Sequence, residues 1–276
     1  MKTRFSRCTA ALGLIAGLTL AVAAQAAPTY ETYTSSGTTS GGAATFNATG
    51  GSVTVSSATG AYFASGSSSK WVVNPVVGAT TNSSALVYYA PGGGTNYGFG
   101  MDSDGSTAPN HALDNNGNTE AVLLNFSSAV ALTNINLGYV SNGSASNTPG
   151  AIVGVSLFRW TGTGAPPSLN GVSVSAMGSW QLVGNYADGY GSNNADLLGE
   201  TSSWWLVSAY NTVFGTAQET VGASSLASTV NDSYFKLFSV GSTVNTTTSK
   251  TPEPGSMALA GIALLGAVWT SRRRKA

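Results

Sequence analysis

Short runs rich in β-branched and aromatic residues recur along most of the chain, at residues 53–55, 71–73, 86–89, 121–126, 135–140, 152–160, 180–183, 204–210 and 234–240. Their composition is that of strands. Ile135, Leu137 and Tyr139 interleave with Asn136 and Gly138, and Val153, Val155 and Leu157 interleave with Gly154 and Ser156, so alternation sets one series inward. Asp104-Gly105, Asn116-Gly117, Asn142-Gly143, Asn170-Gly171 and Asp188-Gly189 fall between the runs, where residues that tolerate positive φ suit tight turns. No stretch of residues 27–250 carries a long apolar helical period. The best candidate, 216–230, is polar, contains Gly222 and reads as a long loop. The pattern predicts an all-β fold: an antiparallel β-sandwich, jelly-roll-like.

Composition bounds what such a fold can be. Only 8% of residues are charged, and abundant Gly, Ser, Thr and Asn often accompany disorder, but an apolar content of 42% argues for a packed core. Residues 27–250 are long enough to bury that core in one domain. Cys8 is the sole cysteine, so everything after residue 26 lacks both a disulfide and a thiolate metal ligand. Four cations against ten carboxylates in residues 27–250 leave a formal charge of −6, which disfavours nucleic acid and anionic membrane surfaces as partners. Residues 32–52 are low in complexity and read as a flexible N-terminal arm, and residues 241–250 as a Ser/Thr/Asn-rich spacer.

The two ends are addresses rather than fold. Lys2, Arg4 and Arg7 precede an apolar segment at 10–24, and Ala24-Gln25-Ala26 supplies small residues at a cleavage position. This is the layout of a secretory signal peptide over residues 1–26, with the mature chain beginning at Ala27. Cys8 lies before the apolar segment, which excludes a lipid-bearing cysteine after it. At the other end stand Pro252-Glu253-Pro254, an apolar run at 257–269 and the basic group Arg272, Arg273, Arg274 and Lys275. As a helix rising ~1.5 Å per residue, residues 255–270 would reach about 24 Å, short of a hydrocarbon core of ~30 Å. The flanking cations set the cytoplasmic side and place the preceding domain outside the cytoplasm.

This order of polar motif, short apolar helix and basic stop over residues 251–276 resembles the PEP-CTERM sorting signal of Gram-negative envelope proteins, with Pro252, Glu253 and Pro254 in the motif positions. The resemblance implies an exosortase as partner, transient residence in the inner membrane, removal of the tail and delivery to the cell surface or extracellular matrix. A permanent single-span anchor is the alternative, and it exports the domain equally.

Few residues suit catalysis. His111 is the only histidine, which rules out a multi-histidine metal centre and obliges any Ser-His-Asp arrangement to use it. No Gly-x-Ser-x-Gly, P-loop or His-Glu-x-x-His motif is present. A glycosidase needs only two carboxylates about 5 to 10 Å apart, and sequence does not pair those present. The densest polar stretch runs from Asp102 through His111 to Glu120. Asp114, Asn116, Asn118 and Glu120, at alternate positions, could wrap a hard cation such as calcium. The stretch departs from an EF-hand loop, because Thr119 stands at the glycine position and Asn125 at the bidentate glutamate position. The other reading is a set of Asx-turns joining strands, with Glu120 at a strand start.

His111-Ala112-Leu113-Asp114-Asn115-Asn116, Val122 to Phe126, Val130 to Leu132, Leu137 to Tyr139, Leu157 to Trp160, Trp180 to Val183, Trp204 to Tyr210 and Tyr234 to Leu237 are together similar to a family of exosortase-dependent surface proteins within the PEP-CTERM group. That similarity supports the address and assigns no activity. Trp71, Trp160, Trp180, Trp204 and Trp205 suggest core packing first and sugar stacking second. The expectation is a non-enzymatic surface protein, structural or adhesive, with no catalytic residues. The alternatives are a carbohydrate-binding module and a carboxylate-dependent glycan hydrolase acting on exopolysaccharide.

Overall fold

The computed structural model describes residues 29–36, 45–49, 53–64, 66–74, 86–89, 98–104, 111–143, 151–189, 191–194, 200–215 and 233–244. These lie within one unit, Pro28–Thr246. In chain order the strands are β1 Thr29–Ser36, β2 Thr45–Thr49, β3 Val55–Ala64, β4 Val72–Asn74, β5 Val87–Tyr89, β6 Gly98–Gly100, β7 Leu113–Asp114, β8 Asn118–Ser141, β9 Ile152–Trp160, β10 Trp180–Gly189, β11 Gly191–Asn194, β12 Ser202–Ala209 and β13 Tyr234–Val244. Two single-turn 3-10 helices, Val174–Ala176 and Thr212–Phe214, are the only helices among the described residues. The signal peptide, the sorting tail and the long loop expected at 216–230 lie outside the described residues.

Every pairing is antiparallel, and the strands join in one sheet whose main path runs β10-β9-β12-β8-β13-β1-β2. The strand-rich, nearly helix-free fold read from the sequence is therefore present. The pairing does not divide into two separate sheets, because β8 belongs to both halves. Residues 118–126 of β8 pair with β3 and, over 121–125, with β12, while residues 131–141 pair with β13. The runs at 121–126 and 135–140 read as two strands, yet no Gly or Pro separates them. Instead Ser127, Ser128 and Ala129 stand exposed at a register shift opposite β12, and Thr54 and Ser127 bond to one another beside it. A bulge, rather than a turn, absorbs the polar residues.

Two apolar clusters flank this sheet. The larger gathers Val122, Leu124 and Phe126 from the first part of β8, Leu132, Ile135 and Leu137 from its second part, and Trp205, Phe235 and Val240 from neighbouring strands. Tyr33 of β1 meets Phe126 edge to face at 5.0 Å. The smaller cluster covers the opposite face of the β3-β8-β12-β9 region, where Phe63, Phe158 and Leu206 pack with Trp71, Leu169, Val174 and Phe214. Its lid is tied down by backbone bonds from Trp71 to Val172, from Gly171 to Trp71 and from Val174 to Ser69.

Several local expectations change. Residues 32–52, read as a flexible arm, hold most of β1 and all of β2. The partner that orders β1 is β13, paired from Thr29↔Val244 to Thr34↔Ser239, and Tyr33 anchors it in the core. β13 reaches Val244, so the first four residues of the expected spacer are strand. Gly117, Gly143 and Gly171 take the positive φ expected of turns, but Asp188-Gly189 continues β10, paired with Val153 and Ile152. Tyr139 leaves the inward series because the ladder skips Gly138: Leu237 pairs with Leu137 and Lys236 with Tyr139. Val140 takes the inward place.

Candidate functional site

The described parts of the polar stretch, residues 102–104 and 111–120, join a buried junction of four segments: the residues after β6, the turn from β7 into β8, the end of β12 and the start of β13. At its centre is Glu120, only 2% exposed. Its Oε1 accepts the Ser103 amide at 2.7 Å and its Oε2 the Asp114 amide at 3.2 Å. One carboxylate thus joins the 101–104 loop to β7.

Asp114 forms the expected Asx-turn, its Oδ1 accepting the Asn116 amide at 3.0 Å, and Gly117 at φ 82° completes the reversal. Asn116 is exposed and directs its Nδ2 to the Tyr234 hydroxyl, whereas Asn118 donates its Nδ2 to Ser103 Oγ. The alternate set 114, 116, 118 and 120 therefore does not line one arc. Among the described residues, no group of three or more His, Cys, Asp or Glu side chains is arranged to hold a metal ion.

Residues that sequence reading did not single out bind the junction to distant strands. Asn115, buried, donates to the Tyr210 carbonyl at 2.7 Å and accepts the Ser233 amide at 3.0 Å. Asn211 donates to Thr119 Oγ1, and Ser208 Oγ to the Glu120 carbonyl. Asn115 belongs to the flagged stretch, but its partners are about a hundred positions away. No local pattern reveals them.

The electrostatics are unusual for so few charges. Burial pushes the Asp114 carboxyl up to about 8, against the Asn116 amide that favours ionisation, and the negative charges of Asp104 and Asp102 push further. Burial raises Glu120 well above the carboxylate range, and the Asp114 charge adds to it while the Ser103 and Asp114 amides oppose it. Asp102 is 7% exposed, and its Oδ1 is buried without a hydrogen-bond partner. His111 takes φ 60°, and its carbonyl fills the place a Cβ on Gly100 would need, so only glycine fits there. Burial lowers the His111 pKa; Asp102 raises it and Lys236 lowers it. Lys236, 4% exposed, lies with its Nζ 5.1 Å from the centre of the Tyr139 ring, and burial brings its pKa down to about 8.

Trp71 and Trp205 are fully buried and Trp180 nearly so, while Trp160 and Trp204 are half-buried. Trp204 and Trp205 point to opposite faces as adjacent strand residues must, one into each apolar cluster. The cleavage positions Ala24 and Ala26, the motif Pro252, Glu253 and Pro254 and the stop Arg272 to Lys275 lie outside the described residues. Among the described residues, no helix is long and apolar enough to cross a membrane.

Residues 250–275 match the PEP-CTERM protein-sorting motif. This is the C-terminal sorting signal of exosortase substrates, so the chain is exported, anchored transiently in a membrane and processed by an exosortase. No curated protein and no solved structure matches the chain.

Proposed function

We propose that, once its tail is removed, the sheet domain serves as a non-enzymatic structural or adhesive component of the outer envelope or the exopolysaccharide matrix. The observation that carries this reading is the sorting motif over residues 250–275. The polar junction supports it, because the side chains of Glu120, Asn115 and Asn211 are engaged in joining backbone segments. The edge-to-face contact between Tyr33 and Phe126 supports a sandwich-like folding of the continuous sheet, with its two halves sharing one core.

A matrix-binding role is the second reading. Trp160 and Trp204 lie half-buried beside the same apolar cluster on neighbouring strands β9 and β12, where aromatic surface could meet the apolar face of a sugar. Sugar binding without turnover would favour it over the first reading, and turnover would favour a glycan hydrolase.

Processing is tested by mass spectrometry of surface material. The mature chain is expected to begin near Ala27 and to lack residues beyond about Pro254. Recovery of intact Arg272 to Lys275 on the surface form would refute it. Glu253→Ala should leave the apolar run unchanged yet block recognition, so that uncleaved protein accumulates in the inner membrane.

A further inference from the structure

One row of side chains crosses the sheet on the face of the smaller apolar cluster, and tryptophan fills three successive places in it. Trp180 of β10 pairs with Trp160 of β9. The β9–β12 ladder pairs Arg159 with Trp205, so one step further along it Trp204 falls opposite Trp160. Trp204 in turn pairs with Asn125 of β8, and Asn125 with Ser57 of β3. The three indoles belong to the same cluster but differ in exposure. Trp180 is buried, whereas Trp160 and Trp204 keep part of their surface in solvent. Opposed residues on adjacent strands stand about 5 Å apart, so the two half-buried rings are neighbours and not scattered surface residues.

Trp160 is held in place by its surroundings. Its Nε1 donates to the Gly164 carbonyl at 3.0 Å, its ring lies 5.8 Å from that of Trp180 with planes inclined at 55°, and a Cβ on Gly162 would collide with it. Core packing accounts for the buried Trp180; it leaves the solvent-facing parts of Trp160 and Trp204 without a role. The row carries no ionisable side chain. Arg159 points to the opposite face, as a strand neighbour of Trp160 must, and there it is paired with Glu200 and bonded to Gln181. Four cations against ten carboxylates over residues 27–250 repel a polyanion. An uncharged aromatic surface that ends in a carboxamide and a hydroxyl suits the apolar face and polar rim of a sugar ring. We propose that Trp160 and Trp204 form a platform on which an uncharged polysaccharide stacks, with Asn125 bonding the sugar hydroxyls beside Trp204. This rests on the matrix-binding reading and names its site and its ligand class. Trp180 and the Gly162–Gly164 turn are the positioning groups: they touch the platform ring and not the sugar.

The test uses the full chain purified in a detergent without a sugar headgroup, with hydroxyethylcellulose and dextran as uncharged probes and alginate as a polyanion, read by tryptophan fluorescence and by retardation in polysaccharide-containing native gels. Wild type should bind an uncharged probe and ignore alginate. Trp160→Leu and Trp204→Leu, which keep apolar volume in the cluster, should each weaken binding about tenfold. Gly162→Ala, which displaces the Trp160 ring while every aromatic remains, should weaken it in the same direction with little change in Tm. Asn125→Ala removes no apolar contact and should weaken binding about fivefold, so it decides the matter if a tryptophan variant fails to fold. Binding of an uncharged probe that survives the tryptophan and Asn125 changes would overturn the platform and leave the matrix-binding reading standing, as would binding of alginate alone. Binding of none of the probes would overturn both. A wild-type dimer that Trp204→Leu converts to monomer, with no polysaccharide bound, would show that the rings cover a second copy of the chain instead.

Discussion

Tyr33 and Phe126 allow the closure of the sheet to be measured. Tyr33 belongs to β1, which among the described residues pairs with β13 and β2, and Phe126 to the part of β8 that pairs with β3, so no strand ladder among the described residues joins them directly. Their rings nevertheless meet with centroids 5.0 Å apart and planes at 72°, both side chains being almost wholly buried. Replacing either by Leu removes apolar volume and should cost about 1–3 kcal/mol. If the rings touch, the double variant should fall short of the sum of the singles by about 0.5–1.5 kcal/mol, the value of an edge-to-face pair. In a domain of this size that is a few degrees of Tm, since about 1 kcal/mol shifts the midpoint by roughly 2–4 °C. Urea unfolding of the four chains measures it. Tyr33→Phe serves as a control, because Ser242 Oγ bonds the Tyr33 hydroxyl at 3.4 Å and that bond must be counted apart from the ring contact. A coupling within about 0.3 kcal/mol of zero would refute the shared core, since sites without contact add to within that limit.

Two further outcomes follow from the junction. Glu120→Ala leaves the Ser103 and Asp114 amides without their acceptor, and should cost about 2–5 kcal/mol in urea unfolding at neutral pH; a loss below about 1 kcal/mol would show that water replaces the carboxylate freely. Lys236 titrates near 8 in the folded chain and near 10.5 when unfolded, so between these values the unfolded state binds more protons and stability from this group rises with pH. Below pH 8 the buried ammonium is a standing cost, and Lys236→Met should raise stability there by about 1–3 kcal/mol and remove the alkaline rise, as followed by melts from pH 7 to pH 10.5. An unchanged alkaline rise in the variant would assign it to another group.

Much of the sheet was legible because its strands carry their own pattern. β9 coincides with the run at 152–160, and the turns at Gly117, Gly143 and Gly171 fall where small polar dipeptides placed them. What failed depended on partners. β1 is low in complexity and becomes a strand only because β13, some two hundred residues later, offers a ladder with Thr29 opposite Val244. Asp188-Gly189 has the chemistry of a turn, but Ile152 and Val153 extend the ladder past it, and pairing prevails over local preference. The skip at Gly138 moves Tyr139 from the inward series to the Lys236 face, a change that strict alternation cannot anticipate.

The junction shows the same division on a smaller scale. Its carboxylates and the Asx-turn at Asp114 were visible as a dense polar stretch, because such turns use residues two positions apart. Its second half was invisible, since the Asn115 contacts to Tyr210 and Ser233 and the Asn211 contact to Thr119 exist only once β7, β8, β12 and β13 are neighbours. An alternate spacing of oxygens suggested a ligand arc, yet the turn sends Asn116 out to Tyr234 while Glu120 goes inward to two amides. In an exported domain with no disulfide, these polar staples perform part of the role that a covalent cross-link would otherwise take, holding loop ends together across large sequence separations. Their strength depends on charge and burial rather than on redox state. The stability of the domain should therefore respond to pH and be indifferent to reductant.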